Sequence, residues 1–206
     1  MSGVRKVVTR SPFRRVGTVA CPWFRSAPIE YESLLERDFI RLALLSLKVS
    51  AIFEQPFTLD LGGAGRYTPD FLLAHEHGPI VVEVKPNARV SEPEVRSRLD
   101  AAAKILAGRD HRFLVATEDF IRGDKRHDRA AIILRQARSH LQSNVTSKVL
   151  VIASRRPDGI TIRHLADEGG VPQSTVLHLV GRRQLRIGES LRIDEHQPVF
   201  PVEVIR

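Results

Sequence analysis

Two short stretches decide how this chain folds: YTPDFLL at Tyr67–Leu73 and IVVEVKP at Ile80–Pro86. Between them lies the turn His75-Glu76-His77-Gly78. Apolar runs on both sides of a short Gly-containing turn predict an antiparallel hairpin over Arg66–Ala74 and Pro79–Lys85. Alternate residues of a strand share a face, so Glu83 and Lys85 point one way while Val82 and Val84 point into the core. Asp70, on the neighbouring strand, comes within reach of Glu83. Two carboxylates on one side of a sheet repel each other unless a cation lies between them. Oxygen ligands with positions left open for water and phosphate suit Mg²⁺ or Mn²⁺. Lys85 beside them would hold or deprotonate an attacking water, or steady charge on a phosphate. The competing reading is a solvated hairpin face with unpaired charges. Val81, Val82 and Val84 weigh against it, because a strand this apolar is central, and Pro86 puts the charged pair at its tip.

Working outward, a helix is expected from about Pro28 to Lys48, with Leu34, Leu35, Phe39, Leu42 and Leu45 at helical spacing. Glu30, Glu32 and Glu36 fall in its first turns, where the helix dipole favours acids. A strand over Ala51–Leu61 follows, closed by Gly62-Gly63, with Gln55 and Pro56 placing it after the helix. Beyond the hairpin, Ser91 and Glu94 stand at capping-box spacing before a helix over Glu92–Ala107. Arg112–Thr117 then reads as a buried strand. Helix, strand, hairpin, helix, strand is an α/β arrangement in which a mixed sheet is flanked by helices. His75 and His77 have no third ligand in view and read as a solvated turn.

The remainder reads as a separate piece. A basic helix is expected over about Asp128–Leu141, within a connecting segment 122–144. In 145–206, helices are expected over Val145–Ala153, Thr161–Glu168 and Pro172–Gly181, then a ribbon over Leu185–Val199. That order is the order of a winged helix-turn-helix. The expected organisation is thus a basic arm 1–28, a catalytic domain 29–121, a connecting helix 122–144 and a winged-helix-like domain 145–206.

Composition bounds the function. The 206 residues carry a net charge of +8, unevenly spread: +6 over 1–28, −4 over 29–120, +7 over 121–156 and −1 over 157–206. An acidic middle between basic segments suits carboxylates that hold a metal and flanks that neutralise phosphates. Arg14 and Arg15 in the arm, with Arg122, Lys125, Arg126 and Arg129 further on, are the expected nucleic-acid contacts. The near-neutral last segment is weighed evenly between DNA binding and protein docking. A single cysteine, Cys21, excludes a disulfide framework and a Cys-based zinc site. No apolar run is long enough to span a membrane, and Arg5 and Lys6 are not followed by a signal-like apolar stretch, so a cytoplasmic protein is expected.

YESLLERDFI (31–40), EQPF (54–57), YTPDFLL, VVEVKP and FLVATEDF (113–120), in this order, resemble the catalytic domain of the TnsA family. These are endonuclease subunits of heteromeric TnsA/TnsB/TnsC transposases, within the PD-(D/E)XK nuclease superfamily. The resemblance spans about residues 4–142. It implies a restriction-endonuclease-like fold and places the family's helix glutamate on Glu36, its aspartate on Asp70 and its final pair on Glu83 and Lys85. Some family members have glutamine where this chain has Glu83. The implied activity is Mg²⁺-dependent hydrolysis of DNA at transposon ends, with Mn²⁺ able to substitute. Asp70, Glu83 and the Val84 carbonyl would hold one ion, with Glu36 helping at a second. The implied partners are a TnsB-like transposase and a TnsC-like ATPase. Two rivals are a free-standing nuclease of the same superfamily and a non-catalytic DNA-binding adaptor on the same scaffold.

Overall fold

The computed structural model describes residues 15–202, so Arg14 lies outside the described residues. The chain divides into two units between Gly123 and Asp124. Among the described residues no helix is long and apolar enough to cross a membrane.

The first unit opens with β1 (Gly17–Val19) antiparallel to β2 (Ile29–Tyr31). Helix α1 (Leu34–Leu45) follows, shorter than expected at its start because Ile29–Tyr31 pair as a strand and Ser33 caps the helix. The Ser33 hydroxyl accepts from the Glu36 amide at 3.1 Å, and the Glu36 carboxylate accepts from the Glu32 amide at 2.7 Å. The pair differs from a capping box by one residue, since Glu36 reaches the amide before the cap rather than that of Ser33. Then come β3 (Val49–Glu54), β4 (Leu59–Asp60), β5 (Arg66–Tyr67), β6 (Phe71–His75) and β7 (Ile80–Val84). A one-turn helix α2 (Asn87–Val90), helix α3 (Pro93–Ala107), β8 (Arg112–Ala116) and α4 (Glu118–Arg122) complete the unit. The capping box expected at Ser91 and Glu94 does not form. Ser91 instead ends α2, its hydroxyl donating to the Asn87 carbonyl, and Glu92 takes the cap position of α3 without a side-chain bond.

Strands β3, β6, β7 and β8 form one mixed sheet in that order, antiparallel except for the parallel β7/β8 pair. A parallel pair needs a crossover, which α3 supplies. Strand β7 is central and covered on both faces, with Val81 and Val82 fully buried. Val81 packs with Leu59, Tyr67, Leu99, Ala102 and Leu106, which puts α3 and the small β4/β5 hairpin on its face. Val82 stands opposite Phe71, whose ring stacks on Phe39 of α1 at 5.6 Å, so α1 covers the other face.

Both strands that were expected to run unbroken are interrupted at the same level. Gln55, with a φ of 40°, separates β3 from β4, and Thr68-Pro69-Asp70 separates β5 from β6. Pro56 and Pro69 lack the N–H that would continue the ladder. The Gln55 amide donates to the Asp70 carbonyl at 2.9 Å and closes the gap. The chain leaves the sheet there, and β4 and β5 fold over the α3 side.

The segment expected to be a free arm is partly built into this unit. Val19, Cys21 and Ile29 are buried, and the Arg25 guanidinium bonds both Glu54 oxygens and the Ile52 carbonyl. A second ion cluster ties α1 to α4. Asp38 is buried at 1% exposure, and its carboxylate accepts from Arg37 at 2.8 Å and from Arg122 at 3.0 and 2.8 Å.

The second unit contains α5 (Arg126–Gln136), α6 (Ser143–Ser154), β9 (Ile160–Thr161), α7 (Ile162–Gly169), α8 (Gln173–Gly181), β10 (Leu185–Ile187) and β11 (Pro198–Pro201). Its strands form an antiparallel sheet in the order β10-β11-β9. The α7 helix is capped by Thr161 and ends at Gly170 in the left-handed conformation, which turns the chain into α8. Residues Thr175–Gly181 of α8 are all buried. A Cβ added at Gly181 would lie 2.6 Å from the Ala137 Cβ and 2.8 Å from the Ile133 carbonyl oxygen, so the chain of α5 runs against this glycine. The expected connecting helix 122–144 is therefore divided. Arg122 is held in the first unit by Asp38, whereas Arg126–Gln136 belong to the second through Ile133 and Ala137.

Two substitutions test this packing. Arg122→Ala removes two charge-assisted hydrogen bonds from buried Asp38 and should cost about 1.5–3 kcal/mol, read by urea unfolding through the sole tryptophan, Trp23. Gly181→Ala should destabilise the second unit by about 1–3 kcal/mol through overpacking, read as faster hydrogen exchange in α8.

Candidate active site

The register of the β6/β7 pair creates the site. Phe71 stands opposite Val82, so one step further along sets Asp70 opposite Glu83 on the same face. Asp70 is just beyond the ladder, where the interruption at Thr68-Pro69 frees its side chain. Its Oδ2 accepts from the Val84 amide at 2.7 Å. The Lys85 amide donates to the Ala116 carbonyl, so Lys85 is held at the end of the β7/β8 pair.

Glu83 is 3% exposed on a central strand, a position where an unpaired carboxylate is costly. Both of its oxygens are engaged. Oε2 accepts from the Tyr67 hydroxyl at 2.6 Å, and Oε1 lies 2.5 Å from the Lys85 ammonium. The structure thus brings Asp70, Glu83 and Lys85 together. They line a cleft of about 610 Å³ that also includes Glu32, Gln55 and Tyr67.

The electrostatics follow from this crowding of acids. The Asp70 carboxyl is pushed well above the ordinary range by burial first, then by the charges of Glu83 and Glu36, against the pull of Lys85 and the Val84 amide. Glu36 is raised as well, chiefly by burial, although its bond to the Glu32 amide works the other way. For Lys85, burial favours the neutral amine, but the charges of Glu83 and Asp70 outweigh it and raise the group above its usual value. Tyr67 is raised by burial and by its Glu83 neighbour, so it stays a donor.

Glu36 is near enough to act on both Asp70 and Lys85 through its charge, yet one of its oxygens caps α1. Among the described residues no three His, Cys, Asp or Glu side chains form a ready-made metal cage. What the cleft offers a cation is a carboxylate pair with backbone beside it. The ammonium of Lys85 against Glu83 stands where positive charge is favoured, and the all-oxygen donor set fits a hard divalent ion that keeps several waters.

The basic residues behave differently from expectation. Arg122 spends its guanidinium on Asp38, and Arg129 donates to the Ser190 carbonyl and to Asp124. Arg126 is partly buried, whereas Lys125 and Arg15 are exposed. His75 ends β6 and His77 lies in the turn, both with exposed hydrogen bonds. Sequence reasoning missed Tyr67 and the cleft arginines Arg66, Arg89 and Arg98. Tyr67 had a usable signal, an aromatic with a polar tip three residues before the key aspartate. Arg98 had no signal beyond its place in the expected helix, next to apolar Leu99.

The raised Asp70 carboxyl carries a stability consequence. Its folded value exceeds the ordinary 3.8, so the folded state holds the proton more tightly and stability is lost as pH rises from about that point. Asp70→Asn keeps an acceptor for the Val84 amide and removes the repulsion. The metal-free variant should match wild type near pH 4 and be the more stable at pH 8, by urea unfolding monitored at Trp23.

A comparison with curated proteins finds no match to the chain. Comparison with known families finds one whose description is TnsA-like endonuclease N terminal, matching residues 46–118. The matched segment runs from the end of α1 to the start of α4. It contains the whole mixed sheet, the crossover helix, and Asp70, Glu83 and Lys85 with every other lining residue of the cleft but Glu32, whereas Glu36 also precedes it. Residues 46–118 are thus similar to the N-terminal domain of TnsA-like endonucleases, which supports a nuclease of that type.

Proposed function

We propose that this chain is a metal-dependent DNA endonuclease that hydrolyses phosphodiester bonds at transposon ends, as the TnsA-like subunit of a cut-and-paste transposase. The observation that carries the reading is the pairing of Asp70 and Glu83 with Lys85 in one cleft inside the matched segment. The mixed sheet with a parallel crossover and helices on both faces is the arrangement expected of a restriction-endonuclease-like core. Asp70, Glu83 and the Val84 carbonyl would hold Mg²⁺ or Mn²⁺, with Glu36 supporting a second ion from the capped end of α1. Such an ion supplies a Lewis acid at the phosphate and a more acidic water.

The chain's own groups do the positioning. Tyr67 and Lys85 fix the orientation of Glu83 through its two oxygens. The Val84 amide fixes Asp70. Lys85, charged at neutral pH, would orient the attacking water or offset charge that develops on the phosphate. Its proton is retained by the two carboxylates beside it, which favours electrostatic work over general-base work.

For the second unit, we read the order α6, β9, α7, α8, β10, β11 as that of a winged helix-turn-helix. In that arrangement α8 would be the helix that reads a DNA groove. Its stretch from Thr175 to Gly181 is buried within the protein and so is withheld from a groove. The partners proposed are a TnsB-like transposase and a TnsC-like ATPase.

The test is strand cleavage of transposon-end DNA by the full chain with transposase and ATPase present. Asp70→Ala and Lys85→Ala should each lower the Mg²⁺-dependent rate by at least about 100-fold while the protein stays folded. Wild-type rates from a folded Asp70→Ala protein would overturn the metal assignment. Site-specific cutting by the full chain alone would favour a free-standing nuclease.

A further inference from the structure

The cleft that holds the carboxylates is also lined by Arg66 and Arg98. Arg98 lies on α3 immediately before Leu99, which is buried in the cluster containing Val81 and Tyr67. Its Nη2 donates to the Arg66 carbonyl at 2.9 Å, so the guanidinium is anchored to β5. Its Nε–H is shut off from solvent and has no hydrogen-bond partner among the described residues. The Arg66 side chain is exposed and enters no hydrogen bond or ion pair among the described residues. Arg89 lines the cleft too, but its guanidinium is paired with Glu92 at 3.1 Å.

A polyanion that approaches Asp70, Glu83 and Glu36 meets repulsion, and fixed cations on the wall of the same cleft are the direct remedy. Guanidinium is suited to this because its forked donors match two phosphate oxygens and it cannot lose its charge. We propose that Arg66 and Arg98 form a phosphate-binding pair that holds the DNA backbone beside the bond to be cut. This rests on the endonuclease reading above and adds to it the residues that seat the strand. It also moves the backbone contacts from Arg122 and Arg129, whose guanidinia are already committed within the protein, to the cleft itself.

Fluorescence anisotropy with the full chain and a labelled duplex of about 25 base pairs, in EDTA so that nothing is cut, reads the contacts through salt dependence. Across a KCl series, Arg66→Ala and Arg98→Met should each weaken binding and flatten the log K against log salt slope by about 0.9. Methionine keeps the stem of Arg98 packed, and Arg66 holds nothing through its side chain, so one variant is free of any folding role. Arg109→Ala, an exposed arginine outside the cleft, should leave the slope unchanged. If both cleft variants bind with the wild-type slope, the pair is a brace between α3 and β5 and the proposal is overturned, while the endonuclease reading stands. If wild type binds no duplex even at low salt, the proposal fails; the endonuclease reading fails only if the full chain with transposase and ATPase also leaves transposon-end DNA uncut in Mg²⁺.

Discussion

Glu83 is a carboxylate buried in the middle of a sheet, and the surrounding architecture serves that placement. The acid sits on β7 among valines that are themselves inaccessible. Left alone there, a carboxylate would forfeit most of its hydration with no hydrogen bond in return. Tyr67 and Lys85 prevent this by taking one oxygen each. For Tyr67 to reach, the chain must leave the sheet at Asp70 and fold β4 and β5 over the α3 side. The breaks at Gln55 and at Thr68-Pro69-Asp70 therefore belong to the site as much as to the fold. They free the Asp70 side chain and deliver the tyrosine in the same stroke.

The site is left with residual repulsion rather than full compensation. Asp70 and Glu36 both hold their protons more firmly than isolated carboxyls, mainly through burial, to which the charges of Glu83 and Glu36 add at Asp70 and that of Glu32 at Glu36. Such a cluster stores destabilisation that a divalent cation or a rearrangement of charge would relieve. Perturbed acids gathered in a cleft are a common mark of a catalytic centre, where stability is traded for reactivity.

The two ion clusters that use surface-type residues show how charge can be diverted to architecture. Asp38 gathers Arg37, Arg41 and Arg122, and joins α1 to α4. Arg25 clamps the early segment onto β3 through Glu54. In the second unit Arg129 is similarly spent on the Ser190 carbonyl. A basic run in a sequence counts charges without telling which are already neutralised at home. Helix α8 makes the same point for apolar residues. Leu177, Leu179 and Val180 are buried as a core face, but so are Thr175, His178 and Gly181, and His178 bonds back to Gln136 and Ser139 of the chain around α5.

The sequence alone determined the hairpin, its facing and the convergence of Asp70, Glu83 and Lys85. Those follow from the two-residue period of strands and from a turn too short to permit another register. It also determined the crossover helix, the final strand and the helix order of the last eighty residues, because apolar spacing and Gly or Pro punctuation are local signals. The tertiary structure alone decided the rest. That Glu36 caps its own helix depends on where α1 begins, which the pairing of β2 with β1 sets. That Tyr67 holds Glu83, that Arg98 reaches the Arg66 carbonyl in the cleft and that Arg122 turns to Asp38 are contacts between residues 16, 32 and 84 positions apart. No local period encodes such meetings. They arise when burial forces each polar group to find a partner among whatever the packed elements bring within reach.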